Sequence, residues 1–369
     1  MKICTVIGAR PQFVKAAAVS RAIAQHGGAE EILLHTGQHY DHKLSAVFFD
    51  DLNIKTPKYN LGVGSGPHGV QTGRMLEGIE KIFVDEMPDW VVVYGDTNST
   101  LAGAIASAKL NIPVAHVEAG LRSFNRAMPE EINRIATDSI STLLFAPSIT
   151  AVKHLSHEGQ SDESIFFSGD VMYDVLMLNK ERAISNSRVL SEIGVEGRDY
   201  ILATVHRAEN TNDEARLKLI FDALSDVSKS LPVVCPLHPR TKAMLERLEL
   251  LEKYQQNILF IPPVSYLDML ALLDGASLVA TDSGGVQKEA FFCGKVCFTL
   301  REETEWIELV DGGWNQLLPP TDAEAMTSTL LNPTGFSMND FRPYGNGEAS
   351  HKIAHRLIAG SATEASAEL

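Results

Sequence analysis

Short apolar and β-branched runs alternate with helix-length amphipathic segments along the whole of this chain, and few folds accommodate that alternation. The runs at 3–7, 31–35, 90–94, 113–117, 143–146 and 165–168 are continuously apolar more often than alternating. Strands covered by helices on both faces read this way, so the series predicts a parallel sheet. Helix-length segments at 11–25, 69–86, 98–110, 129–141, 148–158 and 172–187 fill the gaps. The series then begins again, with strands expected at 200–205, 233–237, 258–261, 278–281 and 296–299. Two such series predict an α/β protein of two doubly wound, Rossmann-like domains. The polar, charged stretch 179–198 lies in the boundary region, giving a first domain over 1–172 and a second over 173–346. A last helix at 347–362 is expected to pack back onto the first domain. Ligands of such folds bind outside the carboxyl ends of the strands, here expected in a cleft between the domains.

Composition narrows the partners. A net charge of −15 argues against nucleic acid or an anionic membrane as the main partner. If the ligand is a phosphate ester, its cations must be gathered locally against that field. The four cysteines, at 4, 235, 293 and 297, have neither the spacing of a disulfide framework nor a second pair for zinc, and are expected as buried thiols. Met1-Lys2 leads straight into the first strand, unlike a signal peptide. No uncharged apolar stretch approaches the roughly 20 residues needed to cross a bilayer, so a cytoplasmic location is expected.

The loops after the strands carry the chemistry. Gly8-Ala9-Arg10-Pro11-Gln12-Phe13-Val14-Lys15 joins a glycine, a helix start and two cations, a combination suited to an anion. It matches neither a Walker loop nor a dinucleotide fingerprint. Gly95-Asp96-Thr97 follows the strand at 90–94, where Asp96 could simply cap the next helix. Glu118 lies in His116-Val117-Glu118-Ala119-Gly120-Leu121-Arg122. Glu130 lies in Pro129-Glu130-Glu131-Ile132-Asn133-Arg134, where Glu130 and Arg134 could form an ordinary i,i+4 pair. All three carboxylates fall just past strand ends of one sheet and so can reach a common crevice. In the second half, His206-Arg207-Ala208-Glu209-Asn210 and His238-Pro239-Arg240 follow strands. The sharpest signal is Asp282-Ser283-Gly284-Gly285-Val286-Gln287-Lys288-Glu289. Its two glycines at a helix start let backbone N–H groups approach a phosphate, with Ser283 able to cap and Glu289 one turn on, facing ribose hydroxyls.

These six motifs, in this order, resemble the non-hydrolysing UDP-N-acetylglucosamine 2-epimerases over nearly the whole chain. The resemblance implies a GT-B-like glycosyltransferase/epimerase architecture, a homodimer, a UDP-sugar substrate, and no cofactor or metal. It implies that Asp96, Glu118, Glu130 and His206 serve catalysis. It implies substrate or UDP contacts from Arg10, Lys15, Arg122, Arg134, Ser283, Gly284, Gly285 and Glu289. The chain departs from the family's commonest pattern at Gln12-Phe13, where Glu-Ala is usual, and in a shorter loop between Arg122 and Glu130. It also carries Ser65-Gly66-Pro67-His68-Gly69-Val70 where many bacterial members have a glutamine-rich activator stretch. With Phe48-Phe49-Asp50-Asp51-Leu52, these features resemble the branch acting on UDP-2,3-diacetamido-2,3-dideoxyglucuronate. There Gln12 would spare a C6 carboxylate the repulsion of a glutamate, and Arg122 and Arg126 would supply its cation.

The implied chemistry needs such residues. The C2 hydrogen of a 2-acetamido sugar is not adjacent to a carbonyl carbon, so its removal must accompany loss of UDP from C1. Two carboxylates then serve opposite faces of C2, with neither assigned to a face. A retaining glycosyltransferase, a silent UDP-sugar sensor and a hydrolysing epimerase are the competing readings.

Overall fold

A computed structural model describes residues 1–38, 56–337 and 341–364. The chain divides into two compact units, one of residues 1–175 with 342–369 and one of residues 176–341. The helix Val171–Asn186 contains the division.

The first unit holds a seven-stranded sheet, ordered β3-β2-β1-β4-β5-β6-β7 and parallel throughout. Its strands are β1 (Lys2–Ile7), β2 (Glu30–His35), β3 (Tyr59–Asn60), β4 (Trp90–Tyr94), β5 (Val114–Val117), β6 (Leu143–Ala146) and β7 (Ile165–Phe167). The second unit repeats the plan with six parallel strands in the order β10-β9-β8-β11-β12-β13. These are β8 (Ile201–Thr204), β9 (Val233–Pro236), β10 (Leu259–Ile261), β11 (Leu278–Thr281), β12 (Cys297–Thr299) and β13 (Asn315–Leu317). The doubly wound α/β expectation therefore holds in both units. The sequence reading omitted only the edge strands β3 and β13, whose residues, Tyr59-Asn60 and Asn315-Gln316-Leu317, form no apolar run.

In each sheet the order reverses once, between β1 and β4 and between β8 and β11. Loops leaving the two strands at such a point diverge, and a crevice opens between them. The motifs at Gly8 and Gly95 flank the first reversal; those at His206 and Asp282 flank the second. Central strands are apolar because both faces are covered: Val91, Val92, Val93 and Tyr94 of β4 are all fully buried.

Gln12 decides how the helix Arg10–His26 begins. Its side chain is buried; its Oε1 accepts from the N–H groups of Gly8 (2.8 Å) and Ala9 (3.0 Å). Its Nε2 donates to the Tyr94 carbonyl and to Thr100 Oγ1, both at 2.9 Å. It thereby satisfies N–H groups that a helix start leaves without partners and ties β1 to β4. The expectation that Gln12 faces a sugar is overturned: every polar atom of its amide is used within the unit. Gly8 is equally constrained, since a Cβ there would fall 2.1 Å from both Ser99 Oγ and Thr36 Oγ1.

At the opposite edge, Glu86 fastens β3. Lys58 Nζ (2.6 Å), Tyr59 Oη (2.5 Å) and Lys2 Nζ (3.1 Å) all donate to its carboxylate. Lys58, Tyr59 and Lys2, in that order of effect, hold its carboxyl down at about 2. The C-terminal helix Ala349–Glu364 packs against the helix Arg10–His26. Asp174 caps it, accepting from Ala349 N (3.1 Å), Ser350 N (2.6 Å) and Ser350 Oγ (2.6 Å). All four cysteines are buried and unpaired, and burial pushes the Cys4 and Cys235 thiols up to about 12. Among the described residues no helix is long and apolar enough to cross a membrane.

Two measurements check these assignments. Gln12→Ala leaves buried N–H groups without acceptors and should cost about 1–3 kcal/mol in denaturant unfolding. A loss below that range would mean the side chain is not the cap described. Glu86 has a carboxyl lower in the folded than in the unfolded chain. Its contribution is therefore complete above the ordinary carboxylate range and disappears as pH falls towards about 2. Thermal unfolding of wild type and Glu86→Gln should differ at neutral pH and converge in acid over that interval.

Candidate functional site

In the first unit, the turn after β4 is shaped by Gly95, whose φ of +63° suits glycine. Asp96 does not cap the following helix. Thr97 does, with its hydroxyl accepting from Thr100 N at 3.3 Å. The Asp96 carboxylate is left to meet Arg134, whose Nε and Nη2 donate to Oδ2 at 3.0 and 2.8 Å. Asn133 donates to the Asp96 carbonyl at 2.9 Å and so fixes the backbone as well.

Glu118 follows β5 with a left-handed backbone, φ +74°, uncommon for a residue with a side chain. Its carboxylate forms an ion pair with Lys15 of the first helix, and both side chains are about nine-tenths buried. The pair lies against the Gly95 turn: a Cβ on Gly95 would come within 3.2 Å of Glu118 Oε2 and 3.4 Å of Lys15 Nζ. Asp96, Glu118 and Lys15 are thus gathered at adjoining strand ends. The side chain of Arg10 lies outside the described residues, as does the Phe48–Leu52 motif.

The helix Pro129–Ile140 behaves differently from a simple reading of its charges. The i,i+4 pair of Glu130 with Arg134 does not form. Arg134 donates instead to Glu131 at 2.6 Å, and Glu131 is buried. Glu131 also accepts from the N–H groups of Ser123 and Phe124, each at 3.0 Å, and so shapes the loop before the helix. Burial acts to raise its carboxyl, but those amides and Arg134 outweigh it and hold the group below the usual range. Glu130 is half-buried, and its carboxylate bonds to no other described residue.

Arg122 requires a correction. Expected beside the substrate, it is buried and committed to Asp138 (2.7 Å) and Glu158 (2.7 and 2.5 Å). A guanidinium removed from water needs carboxylates around it, and these two satisfy it. Arg134 is likewise held by Asp96 and Glu131. Both arginines position carboxylates.

In the second unit the organiser is Asp282, fully buried at the end of β11. It accepts from the N–H groups of His206 and Arg207 (3.0 Å) and from Asn210 Nδ2 (3.1 Å). The loops after β8 and β11 are thereby joined across the reversal in strand order. The His206 ring remains about one-third exposed, 3.6 Å from Asp282 and stacked on His238 with centroids 5.3 Å apart. Burial holds this imidazole below the ordinary histidine range; Asp282 opposes that, and Arg207 and Arg240 reinforce it.

The helix Gly284–Phe292 starts at Ser283, whose hydroxyl does not cap it, contrary to expectation, and bonds to no described residue. Trp306 Nε1 donates to the Gly284 carbonyl at 2.9 Å, and Lys288 Nζ lies 4.0 Å above the Trp306 ring. Glu289 is buried one turn into the helix. N–H groups at a fixed helix start beside an unengaged hydroxyl suit an anion with several oxygens.

Sequence reasoning passed over Glu131, Asn133, Asp138 and Trp306. A sign of Glu131 and Asp138 was available. Glu131, Arg134 and Asp138 recur at helical spacing, whereas Ile132 and Ile140 of the same helix are exposed.

The chain is similar to known proteins along nearly its whole length. The family model described as UDP-N-acetylglucosamine 2-epimerase matches residues 21–358, beginning after the Gly8 motif. The chain is 50% identical to a UDP-N-acetylglucosamine 2-epimerase homolog of Methanococcus maripaludis, over 97% of this chain and 99% of that one. It is 49% identical to the UDP-2,3-diacetamido-2,3-dideoxy-D-glucuronate 2-epimerase of Pseudomonas aeruginosa, with the same coverage. The crystal structure of Methanocaldococcus jannaschii UDP-GlcNAc 2-epimerase, in complex with UDP-GlcNAc and UDP, superposes with a TM-score of 0.89 at 42% identity. The match covers 98% of this chain and all of that one. With motifs, fold and full-length similarity in accord, the chain belongs to the UDP-N-acetylglucosamine 2-epimerase family of isomerases.

Proposed function

We propose that this enzyme inverts C2 of a UDP-sugar without net hydrolysis, by eliminating UDP and adding it back. The observation that carries this reading is the placement of Asp96 and Glu118 just past the ends of adjoining parallel strands, with Lys15 beside Glu118. One carboxylate takes the C2 proton as the C1–O bond breaks, its electron pair leaving with UDP and a C1=C2 double bond forming. Protonation of C2 from the opposite face and return of the UDP oxygen to C1 give the epimer. Asp96, Glu118 and Glu130 are the proton-transfer candidates. In the same reading the helix start at Ser283-Gly284-Gly285, with Arg10 and His206, holds the diphosphate as its charge grows, and Glu289 meets the ribose. Homodimer formation and a cytoplasmic location complete the proposal.

The substrate we favour is UDP-2,3-diacetamido-2,3-dideoxyglucuronate. Its support is now the similarity to the Pseudomonas aeruginosa enzyme, because Gln12 and Arg122 are occupied within the fold. Arg126, exposed and bonded to no other described residue, is the remaining candidate to meet a C6 carboxylate. UDP-N-acetylglucosamine is the second reading, favoured by the 42% identity to the Methanocaldococcus jannaschii enzyme.

In heavy water without acceptor, NMR should show deuterium entering C2 of the epimer with no lasting release of UDP. Product without deuterium would exclude elimination, and accumulating free sugar would indicate hydrolysis. Asp96→Asn, Glu118→Gln and Glu130→Gln should each lower kcat roughly 10²-fold while UDP still binds. Ser283→Ala should instead weaken UDP by about 1 kcal/mol.

The diacetamido acid should have the higher kcat/KM of the two nucleotide sugars. Arg126→Ala should lower that value about ten-fold for the acid alone, as loss of one charge-assisted contact would. Equal or better use of UDP-N-acetylglucosamine by the wild type would reject the substrate assignment and leave the epimerase reading in place.

A further inference from the structure

We propose that His116 is held inside the first unit as an imidazolium cation, and that it is the positioning residue for the two carboxylate loops, Gly95-Asp96 and Glu118-Ala119-Gly120. The positioning part rests on the epimerase reading above; the charge state does not.

The ring, near the end of β5, is fully buried. Its Nε2 lies 2.7 Å from the Gly95 carbonyl oxygen, which can only accept, so Nε2 carries a proton. Its Nδ1 lies 2.6 Å from Asp138 Oδ1. The other oxygen, Oδ2, accepts from Gly120 N at 3.1 Å and faces Arg122 Nη2 at 2.7 Å. A carboxylate so surrounded is ionised and offers Nδ1 only an acceptor. Nδ1 must therefore carry a proton too, and a ring protonated at both nitrogens is a cation.

The surroundings balance that charge. Asp138 and Glu158 supply two negative charges; Arg122 and His116 supply two positive ones. Burial acts to raise the Asp138 carboxyl, but His116 and Arg122 outweigh it and bring the group below the usual range.

One ring thereby controls two loops. Gly95 is gripped at both ends, its N–H donating to the Val117 carbonyl at 3.0 Å and its own carbonyl accepting from His116. Asp96 is the next residue. Glu118 stands two residues beyond His116 in the chain, and its loop is tied to the same Asp138 through Gly120 N. The hydrogen bonds of this cluster join the ends of β4 and β5 to the helix Pro129–Ile140.

The test begins with the charge itself. Long-range proton–nitrogen NMR correlation of the histidine rings in the full chain should give one ring protonated at both nitrogens at about pH 8, where ordinary imidazoles are neutral. Asp138→Asn should convert that same ring to a singly protonated one, which assigns it. A singly protonated His116 in the wild type overturns the proposal. For the positioning role, His116→Gln removes the cation and retains a donor. It should lower kcat about ten-fold, keep UDP affinity within about two-fold, and move the acid limb of the kcat profile to higher pH, since nearby carboxylates lose a stabilising charge. An unmoved limb overturns the positioning role, even if stability falls. Failure of the wild type to epimerise any UDP-sugar would refute the epimerase reading, while the ring spectrum would still decide the charge.

Discussion

A carboxylate withdrawn from water has to be met by N–H groups or cations, and in each unit one such aspartate organises everything around it. Asp138 in the first unit and Asp282 in the second are both fully buried. Each gathers donors from segments distant in sequence, Asp138 from residues 116, 120 and 122 and Asp282 from residues 206, 207 and 210. Removing either would strand several buried donors at once, a far larger penalty than the loss of one hydrogen bond. The requirement to satisfy a buried charge thus fixes where loops leave the sheet, and a parallel sheet presents all those loops along one edge.

This explains why most charged residues near the candidate site face inward to one another. Arg122 pairs with Asp138 and Glu158, and Arg134 with Asp96 and Glu131. The cations expected to greet an anionic ligand instead set the position of carboxylates. Among the groups left with open valences are the Glu130 and Arg126 side chains and the Ser283 hydroxyl, which bond to no other described residue. The contrast between committed and uncommitted polar groups separates framework from reactive surface more sharply than charge does.

The fold was legible because parallel strands covered on both faces announce themselves as apolar runs, and β4 and β11 have the bounds expected from sequence alone. The motif loops were legible because glycine and acidic residues cluster past strand ends. Side-chain direction was not. Glu130 and Glu131 are adjacent and chemically alike, yet only Glu131 is buried, and helix phase decides which. Phase is usually read from the apolar face. Here that rule fails, since Ile132 and Ile140 are exposed while Glu131, Arg134 and Asp138 are buried. Gln12 was misread for the same reason: a side chain at the start of a helix beneath a ligand loop can point to ligand or to backbone, and only the geometry of Gly8, Ala9 and Tyr94 shows that it serves the backbone.

The attachment of the last helix through Asp174 bears on how the protein is made. The first unit is discontinuous: its final helix is separated from residue 175 by the whole of the second unit. As the chain leaves the ribosome, the aspartate that will cap this helix emerges early and waits for Ala349 and Ser350. The second unit, a single unbroken stretch, has all its residues before the first does. Vectorial synthesis therefore completes the two units in the reverse of their order along the chain, and until then the apolar face of the helix Arg10–His26 is an exposed target for chaperones.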